Sequence, residues 1–274
     1  MERIKAAINK AKGARAGEGP QTVRGPAVPT LGSPDAMPAA WAALERRTLS
    51  DSALQRARIV THHKENVAHV AFDILRTKLL KTMERNGWNS IAITSPSQSC
   101  GKTMIAANLA FSFARQGGVR VVLCDVDLKR PSVRKVLGVS AKSSMGDFLS
   151  GVGGVADHFE RYTDTLAIGV TGTSMRHSAE VVQNRQAFDA IADMKQQLRP
   201  NVIIYDLPPM MASDDAISFM AHVDCVLLIA AAGTTTLREI DDCESQLSDL
   251  TNVIGVVLNK YDVESDRYYE YDYN

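Results

Sequence analysis

The stretch that decides the fold is Ser95-Pro-Ser-Gln-Ser-Cys-Gly-Lys-Thr103, which lies between an apolar run at 91–94 and a helix-forming run at 104–114. A strand, a tight loop that ends in Gly-Lys-Thr and a helix form the arrangement by which proteins bind nucleotide phosphates. Loop N–H groups and the helix N-terminus point at the anion, Lys102 adds a positive charge, and the Thr103 hydroxyl can bind Mg²⁺. The stretch therefore predicts a site for nucleotide phosphates and Mg²⁺.

The loop departs from the strict phosphate-binding pattern at its start. That pattern has glycine at position 96, where this chain has Pro96, and no glycine precedes Gly101 within the loop. Residues 97–100 must therefore form the anion-binding nest without the residue that most easily adopts a positive φ. We expect the loop and the first helical turn to contact the nucleotide; these residues are Ser97, Gln98, Ser99, Cys100, Gly101, Lys102, Thr103 and Met104.

Short apolar runs alternate with helical patterns after Gly87. The strand-like runs lie at 91–94, 121–124, 166–170, 202–205, 225–230 and 253–258, and helical patterns lie at 67–83, 186–198 and 237–250. Apolar strands that are separated by helices indicate a parallel sheet covered on both faces. The predicted fold class is α/β, a doubly wound and mostly parallel sheet flanked by helices, as in P-loop NTPases. Its active site should lie at the carboxyl ends of the strands.

Composition divides the chain into three parts. Residues 1–60 are expected to form a flexible N-terminal segment and linker, because a Gly-, Pro- and Ala-rich stretch at 16–38 follows a short amphipathic pattern at 2–14. Residues 61–260 form the predicted P-loop domain, and residues 261–274 form a tyrosine-rich tail.

Bulk composition bounds the classes of function. The 274-residue chain has zero formal net charge, four widely spaced cysteines and no apolar stretch long enough to span a bilayer. Its start lacks the apolar core of a signal peptide. Cys124 and Cys225 lie inside apolar runs, which favours reduced, buried thiols. We expect a cytoplasmic protein that has no nucleic-acid partner and reaches the inner membrane only through another protein.

Three carboxylates follow predicted strands. Asp125 and Asp127 come after the run at 121–124, and Asp206 follows the run at 202–205. Parallel strands place these acids near the same edge of the sheet as Lys102. Mg²⁺ takes few protein carboxylates; Asp206 suits a metal contact, often through water, and Asp125 or Asp127 could also hold the ion. The predicted metal ligands are Thr103, Asp125 and Asp206. Lys102, Asp125 and Asp127 are the predicted catalytic groups, and either aspartate could accept a proton from an attacking hydroxyl.

Asn259-Lys260 follows the last predicted strand. The Asn259 amide carries a donor and an acceptor, so it could hydrogen-bond an adenine edge. A simple turn explains the same two residues equally well.

With these motifs the chain resembles the bacterial tyrosine autokinases of capsule and exopolysaccharide biosynthesis, which belong to a deviant P-loop group. The strings that carry the resemblance include Gly101-Lys-Thr103, Asp125-Val-Asp-Leu-Lys-Arg-Pro131, Asp206-Leu-Pro-Pro209 and Val257-Leu-Asn-Lys260. The resemblance implies that Lys102 and Thr103 belong to the first nucleotide-binding motif, Asp125 and Asp127 to the second, and Asp206 to the third. It also implies ATP and Mg²⁺ as cofactors.

The tail is consistent with that resemblance. Tyr268, Tyr269, Tyr271 and Tyr273 stand among acidic residues in a short terminal segment, where we expect no burial. Exposed tyrosines are suitable phosphoacceptors, and an aromatic patch that docks on a partner is the alternative. The resemblance implies autophosphorylation within a homo-oligomer, a membrane polysaccharide co-polymerase (chain-length determinant) as a separate activator, and a cognate tyrosine phosphatase.

Two other functions stay open on the sequence. A ParA/MinD-like positioning ATPase would dimerise around ATP and move cargo, but that group has a second lysine four residues before the loop glycine, where this chain has Ser97. A nucleotide-binding scaffold with weak phosphotransfer would fit the loop that lacks an early glycine.

Overall fold

The computed structural model of the protein describes residues 37–62 and 69–261. The helices in these ranges are α1 (Ala39–Ala43), α2 (Asp51–Arg56), α3 (His69–Asn86), α4 (Lys102–Ala114), α5 (Val133–Leu137), α6 (Met145–Leu149), α7 (Val155–His158), α8 (Ser178–Gln183), α9 (Arg185–Leu198), α10 (Asp215–Phe219) and α11 (Leu237–Ser248). The strands are β1 (Ser90–Thr94), β2 (Val121–Asp125), β3 (Phe159–Arg161), β4 (Leu166–Gly169), β5 (Val202–Asp206), β6 (Cys225–Ala231) and β7 (Asn252–Asn259). Single 3₁₀ turns lie at Val60–His62 and Met220–His222.

The strands form one seven-stranded sheet in the order β3-β4-β2-β5-β1-β6-β7. All neighbouring pairs are parallel except β3 and β4, which are antiparallel. The register places Asp206 opposite both Ile93 and Asp125, so β1, β2 and β5 end side by side. The predicted fold class is confirmed, and the phosphate loop lies at the carboxyl edge of the sheet.

The central strands are apolar because both of their faces are covered. Ile91 and Ile93 pack with α3 and α4 on one face, whereas Ala92 packs with α9 and α10 on the other. Every residue of β1, β2, β5 and β6 is buried. Burial on both faces explains why these strands appear in the sequence as continuous apolar runs.

Most predicted elements are confirmed with ends shifted by a few residues. The predicted helix at 67–83 spans His69–Asn86, and the predicted strand at 166–170 ends at Gly169. The antiparallel strand β3 was not predicted. It is only three residues long and includes Glu160 and Arg161, so it lacks an apolar run.

Residues before the predicted domain pack onto it. Trp41 and Leu54 are fully buried, and the Trp41 indole donates a hydrogen bond to the carbonyl oxygen of Asp164 at 3.0 Å. Residues 45–47 pair with Arg161 through backbone hydrogen bonds and extend the sheet beyond β3. Residues 41–59 are thus part of the fold and not a free linker; the domain boundaries themselves stay a prediction.

Three predicted features lie outside the described residues. These are the amphipathic pattern at 2–14, most of the linker at 16–38, and the tail tyrosines Tyr268, Tyr269, Tyr271 and Tyr273. All four cysteines are described, and each is free and buried, which confirms the prediction for Cys124 and Cys225. No helix within 37–62 or 69–261 is long and apolar enough to cross a membrane.

Candidate active site

The phosphate loop connects β1 to α4 and forms its turn without an early glycine. Ser99 adopts a left-handed backbone with φ of 63°, and Gly101 follows with φ of 92°. The Ser95 hydroxyl donates to the carbonyl oxygen of Ser97 at 2.7 Å and braces the start of the loop. Ser99 therefore adopts the left-handed conformation that glycine adopts most easily, at the cost that a Cβ incurs there.

Lys102 is a buried cation surrounded by acids. Its Nζ lies 3.0 Å from Asp127 Oδ2 and 3.6 Å from Asp206 Oδ1. Burial alone would lower the pKa of Lys102, but attraction by Asp206 and Asp127 outweighs burial and raises it. The side chain therefore stays protonated and presents a fixed positive charge at the start of α4.

The Thr103 side chain connects the start of α4 to Asp206 at the end of β5 and to Ser132 just before α5. Its hydroxyl donates to Asp206 Oδ2 at 2.6 Å and lies 2.7 Å from the Ser132 hydroxyl. Because a hydroxyl has one proton to donate, Ser132 must be the donor in the second hydrogen bond. Thr103, Ser132 and Asp206 thus form a short chain of hydrogen bonds.

Asp125 and Asp206 are both fully buried, and together they concentrate negative charge. The Val133 N–H donates to Asp125 Oδ2 at 3.1 Å, but Oδ1 of each aspartate has no hydrogen-bond partner among the described residues. Burial, and then repulsion by Asp206, raises the pKa of Asp125 well above its usual value. Burial likewise raises the pKa of Asp206, although Lys102 counteracts this.

These carboxylate oxygens, which accept no hydrogen bond from the described residues, suit a bound cation. Mg²⁺ prefers carboxylate and hydroxyl oxygens and keeps several waters, so Thr103 and one or two aspartates are a sufficient protein contribution. Within the described ranges, no group of three or more His, Cys, Asp or Glu side chains is arranged to hold a metal ion. The residues present fit a Mg²⁺ ion that is shared with a nucleotide better than an all-protein metal site.

Asp127 occupies a different position from Asp125. It lines an open cleft, and the N–H of Arg130 donates to its Oδ1 at 3.0 Å. Asp125 does not line the cleft and lies behind it. Of the two aspartates that the sequence proposes as proton acceptors, only Asp127 therefore faces the space that a substrate would enter.

The cleft has a volume of about 460 Å³, which is within the usual range for small-molecule sites. Its lining includes Lys102, Thr103 and Asp127, together with Gln98, Ser99, Gly101 and Met104. The other lining residues are Lys129, Arg130, Ser132, Val136, Pro208, Pro209, Ala212 and Ser213. The cleft thus combines charged groups with several apolar residues.

Three predicted nucleotide contacts do not line the cleft. Cys100 is buried, and its Sγ lies 3.3 Å from the Ser97 carbonyl oxygen and 3.6 Å from the Thr235 hydroxyl. The Asn259 amide donates to the carbonyl oxygen of Cys100 at 2.8 Å. Ser97, Cys100 and Asn259 therefore hold the loop in place, and the adenine contact of Asn259 stays a prediction.

Several further side chains support the site. Lys129 Nζ pairs with Asp215 Oδ1 at 3.1 Å, and Ser178 donates to Asp215 Oδ2 at 2.8 Å. Arg130 donates to the side chain of Gln98 in the phosphate loop. Lys129 and Arg130 lie inside the Asp-Leu-Lys-Arg-Pro string, so this motif could have identified them as part of the site. No local sequence pattern indicates Ser178.

A lysine and a hydroxyl at the start of the helix after β1, facing acids from β2 and β5, define a P-loop nucleotide-binding protein. Residues 91–271 match the model of the CobQ/CobB/MinD/ParA nucleotide binding domain, and the chain belongs to that family.

Two similar curated proteins are both named tyrosine-protein kinases. The chain is 28% identical over 215 residues to the tyrosine-protein kinase wzc of Salmonella typhi. The aligned region covers 76% of this chain and 30% of that protein. The chain is also 28% identical over 181 residues to the tyrosine-protein kinase CpsD of Streptococcus pneumoniae serotype 4, covering 65% of this chain and 78% of CpsD. The chain thus spans less than a third of the wzc relative's length. The resemblance to tyrosine autokinases is confirmed.

Solved structures show the same fold. The kinase domain of Escherichia coli tyrosine kinase ETK superimposes with a TM-score of 0.67 at 24% identity, covering 76% of this chain and 82% of that one. At this identity the likeness establishes the architecture, and activity has to be argued from the residues.

Proposed function

We propose that the protein is an ATP- and Mg²⁺-dependent protein-tyrosine kinase that phosphorylates its own C-terminal tyrosines. The observation that carries the proposal is a cleft lined by Lys102, Thr103 and Asp127, in which the buried Asp206 contacts both Lys102 and Thr103. The names of the relatives favour tyrosine as the acceptor. The predicted acceptors are Tyr268, Tyr269, Tyr271 and Tyr273.

The phosphate loop would hold the triphosphate. Ser99 and Gly101 have the left-handed backbone that anion-binding nests use, and Lys102 adds a positive charge that burial does not neutralise. Thr103, Asp206 and Asp125 would hold Mg²⁺, which neutralises charge on the phosphate oxygens when bound. Catalysis by these groups consists mainly of positioning and of charge stabilisation in a buried environment.

Asp127 is the best-placed proton acceptor for the tyrosine. The phenolic oxygen attacks the γ-phosphorus, the bond from that phosphorus to the β–γ bridging oxygen breaks, and ADP leaves with the electron pair. The phenolic proton passes to the Asp127 carboxylate, which faces the cleft. The ordinary pKa of a tyrosine is about 10, so removing this proton during transfer assists the reaction near neutral pH.

We propose a biological setting that follows from the resemblance. The kinase would act on exopolysaccharide or capsule synthesis or export, as a homo-oligomer at the inner membrane, with a membrane polysaccharide co-polymerase as activator. A cognate tyrosine phosphatase would reverse the modification. If so, adding the cytosolic segment of such a co-polymerase should raise the rate of tail phosphorylation, and an unchanged rate would argue against this activator.

The central experiment incubates the full chain with Mg²⁺-ATP and measures phosphate on residues 262–274 by mass spectrometry. We expect phosphotyrosine in the native protein, and a loss of about 100- to 1,000-fold in rate for Lys102→Met. Lys81→Met is the matched control, because Lys81 is an exposed lysine on α3, remote from the cleft-lining residues.

The same incubation separates the rival functions. Phosphate release without phosphotyrosine would support a positioning ATPase, for which membership of a family that includes MinD and ParA is the specific observation. Nucleotide binding with neither reaction would support a scaffold. Either result would overturn the kinase proposal.

A further inference from the structure

A second cavity adjoins the active-site cleft. It has a volume of about 350 Å³ and lies between α2 and α5, lined by Ala53, Arg56, Ala57, Lys135, Val136 and Gly138. Val136 also lines the active-site cleft, so the two spaces share a wall. We call this second cavity the acceptor groove. A peptide in the groove could continue past Val136 toward Asp127.

The acceptor groove carries positive charge that the fold leaves uncompensated. Arg56 and Lys135 are exposed, and neither forms an ion pair with any residue in 37–62 or 69–261. Lys129 is different, because the buried Asp215 carboxylate neutralises it. Exposed Arg130, which lines the cleft, adds another cation on the same side.

The tail has the opposite charge. Residues 262–274 contain five carboxylates, at Asp262, Glu264, Asp266, Glu270 and Asp272, against the single Arg267. Glu270 and Asp272 are each adjacent to two tyrosines, so a tyrosine in the cleft brings acids within about 4 Å of it along the backbone. A basic groove beside the cleft therefore matches the acceptor that the proposed kinase would use.

We propose that the tail of a second copy docks in the acceptor groove, where its carboxylates pair with Arg56 and Lys135 while one of its tyrosines enters the cleft beside Val136. This inference rests on the proposed function, and it assigns Arg56 and Lys135 as the residues that select an acidic acceptor. Electrostatic complementarity of this kind contributes to the choice of partner and to the association rate.

The position at which the tail begins favours docking of a second copy's tail over docking of the chain's own tail. The tail follows β7, whose last residue, Asn259, is bound to the Cys100 carbonyl oxygen. The groove lies next to α5, which follows β2, and the strand order places β6, β1 and β5 between β7 and β2. A chain's own tail would have to cross the mouth of the phosphate loop, where the triphosphate is proposed to bind.

The test measures the binding of a labelled synthetic peptide of residues 262–274. The protein is the full chain in which its own tail carries Tyr→Phe and acid→amide replacements, so that it does not compete. Fluorescence anisotropy is recorded with Mg²⁺ and a non-hydrolysable ATP analogue. We expect Arg56→Glu with Lys135→Glu to weaken binding about tenfold, because two exposed ion pairs become repulsive contacts.

A matched control makes the same change in net charge elsewhere. Lys81→Glu with Arg85→Glu alters two exposed residues of α3 and should leave peptide affinity unchanged. A peptide in which Glu270 and Asp272 are replaced by lysine should bind the groove variant more tightly than the parent protein. Equal weakening by both pairs of substitutions, no effect of the groove pair, or no peptide binding at all would each overturn the proposal.

The outcome is separable from that of the proposed function. Peptide binding does not require phosphoryl transfer, so a groove-dependent affinity together with no phosphotyrosine would refute the kinase and keep the docking site. Phosphotyrosine formed on the peptide with the same KM in parent and groove variant would keep the kinase and refute the docking site. Affinity for a fluorescent ATP analogue, measured in every variant, shows that the protein has folded.

Discussion

Two regions of the active-site cleft differ in burial. At the start of α4, Lys102 and Thr103 are buried and contact the fully buried Asp206. Elsewhere along the cleft, Arg130 and Ala212 are exposed. Buried charges are costly and depend on their partners, whereas exposed charges are screened by water. Substitutions in the buried region should therefore affect stability and chemistry together, and those in the exposed region should affect mainly recognition.

The largest effect is expected for Lys102→Met. The change removes the counter-charge of Asp127 and Asp206, which should destabilise the fold by about 3–5 kcal/mol at pH 8. Lys135→Met, which removes an exposed cation of α5, should change stability by less than about 0.5 kcal/mol. Urea denaturation of both variants measures the difference.

The pH dependence identifies the cause of that loss. Without Lys102 the folded-state pKa of Asp206, which burial already raises, should rise further. An acid whose folded pKa exceeds its unfolded pKa loses stability as pH rises from the unfolded value through the folded value. The deficit of Lys102→Met should thus be smaller at pH 5 than at pH 8, and Lys102→Met with Asp206→Asn should recover part of it. Equal deficits at both pH values would contradict this explanation.

Gly101→Ala should have the next largest effect. Gly101 has φ of 92°, and an added Cβ would overlap the Asn259 amide that fastens the loop. We expect a loss of about 1–3 kcal/mol in stability and weaker nucleotide binding. Gly117→Ala is the control, since Gly117 lacks a positive φ and a Cβ there meets nothing within 4 Å. Thermal unfolding and nucleotide titration measure both quantities, and similar losses in the two variants would show that loop geometry is not the cause.

Asp125→Asn should stabilise the nucleotide-free protein while it impairs phosphoryl transfer. Burial and repulsion by Asp206 raise the pKa of Asp125, so its ionised form opposes folding as pH rises above the unfolded value. We expect a gain of about 1 kcal/mol at pH 8 that diminishes as pH falls, because protonation of the buried aspartate removes the penalty. Asp189→Asn changes an exposed carboxylate of α9 and should alter neither the stability nor the rate of phosphoryl transfer. A lower melting temperature for Asp125→Asn at pH 8 would contradict the prediction.

The smallest effect concerns the loop residue in the left-handed conformation. Ser99→Gly should relieve strain at φ of 63° and stabilise the loop by about 0.5 kcal/mol, with nucleotide affinity raised about twofold. Ser99→Ala retains a Cβ and should match the parent protein. Isothermal titration with an ATP analogue distinguishes the two variants. Identical nucleotide affinities of Ser99→Gly and Ser99→Ala would show that the loop carries no such strain.

Sequence patterns were most informative where structure is local. The phosphate loop, its helix and the strand-end acids each lie within a few residues of an apolar run, so the motif and its place on the sheet could be predicted together. Residues 41–59 could not be predicted as part of the core. Trp41 bonds to Asp164, 123 positions away, and no local pattern reports a partner at that separation.

The sequence by itself determined the doubly wound sheet, the phosphate loop and the identity of the acids around Lys102, because burial on both faces and phosphate binding each require particular residues at short spacing. Only the tertiary structure decided that Asp127 faces the cleft while Asp125 lies behind it, that Asn259 holds the loop, and that Arg56 and Lys135 line one groove. These relations join segments far apart in the chain, and they arise only when strands and helices pack against one another.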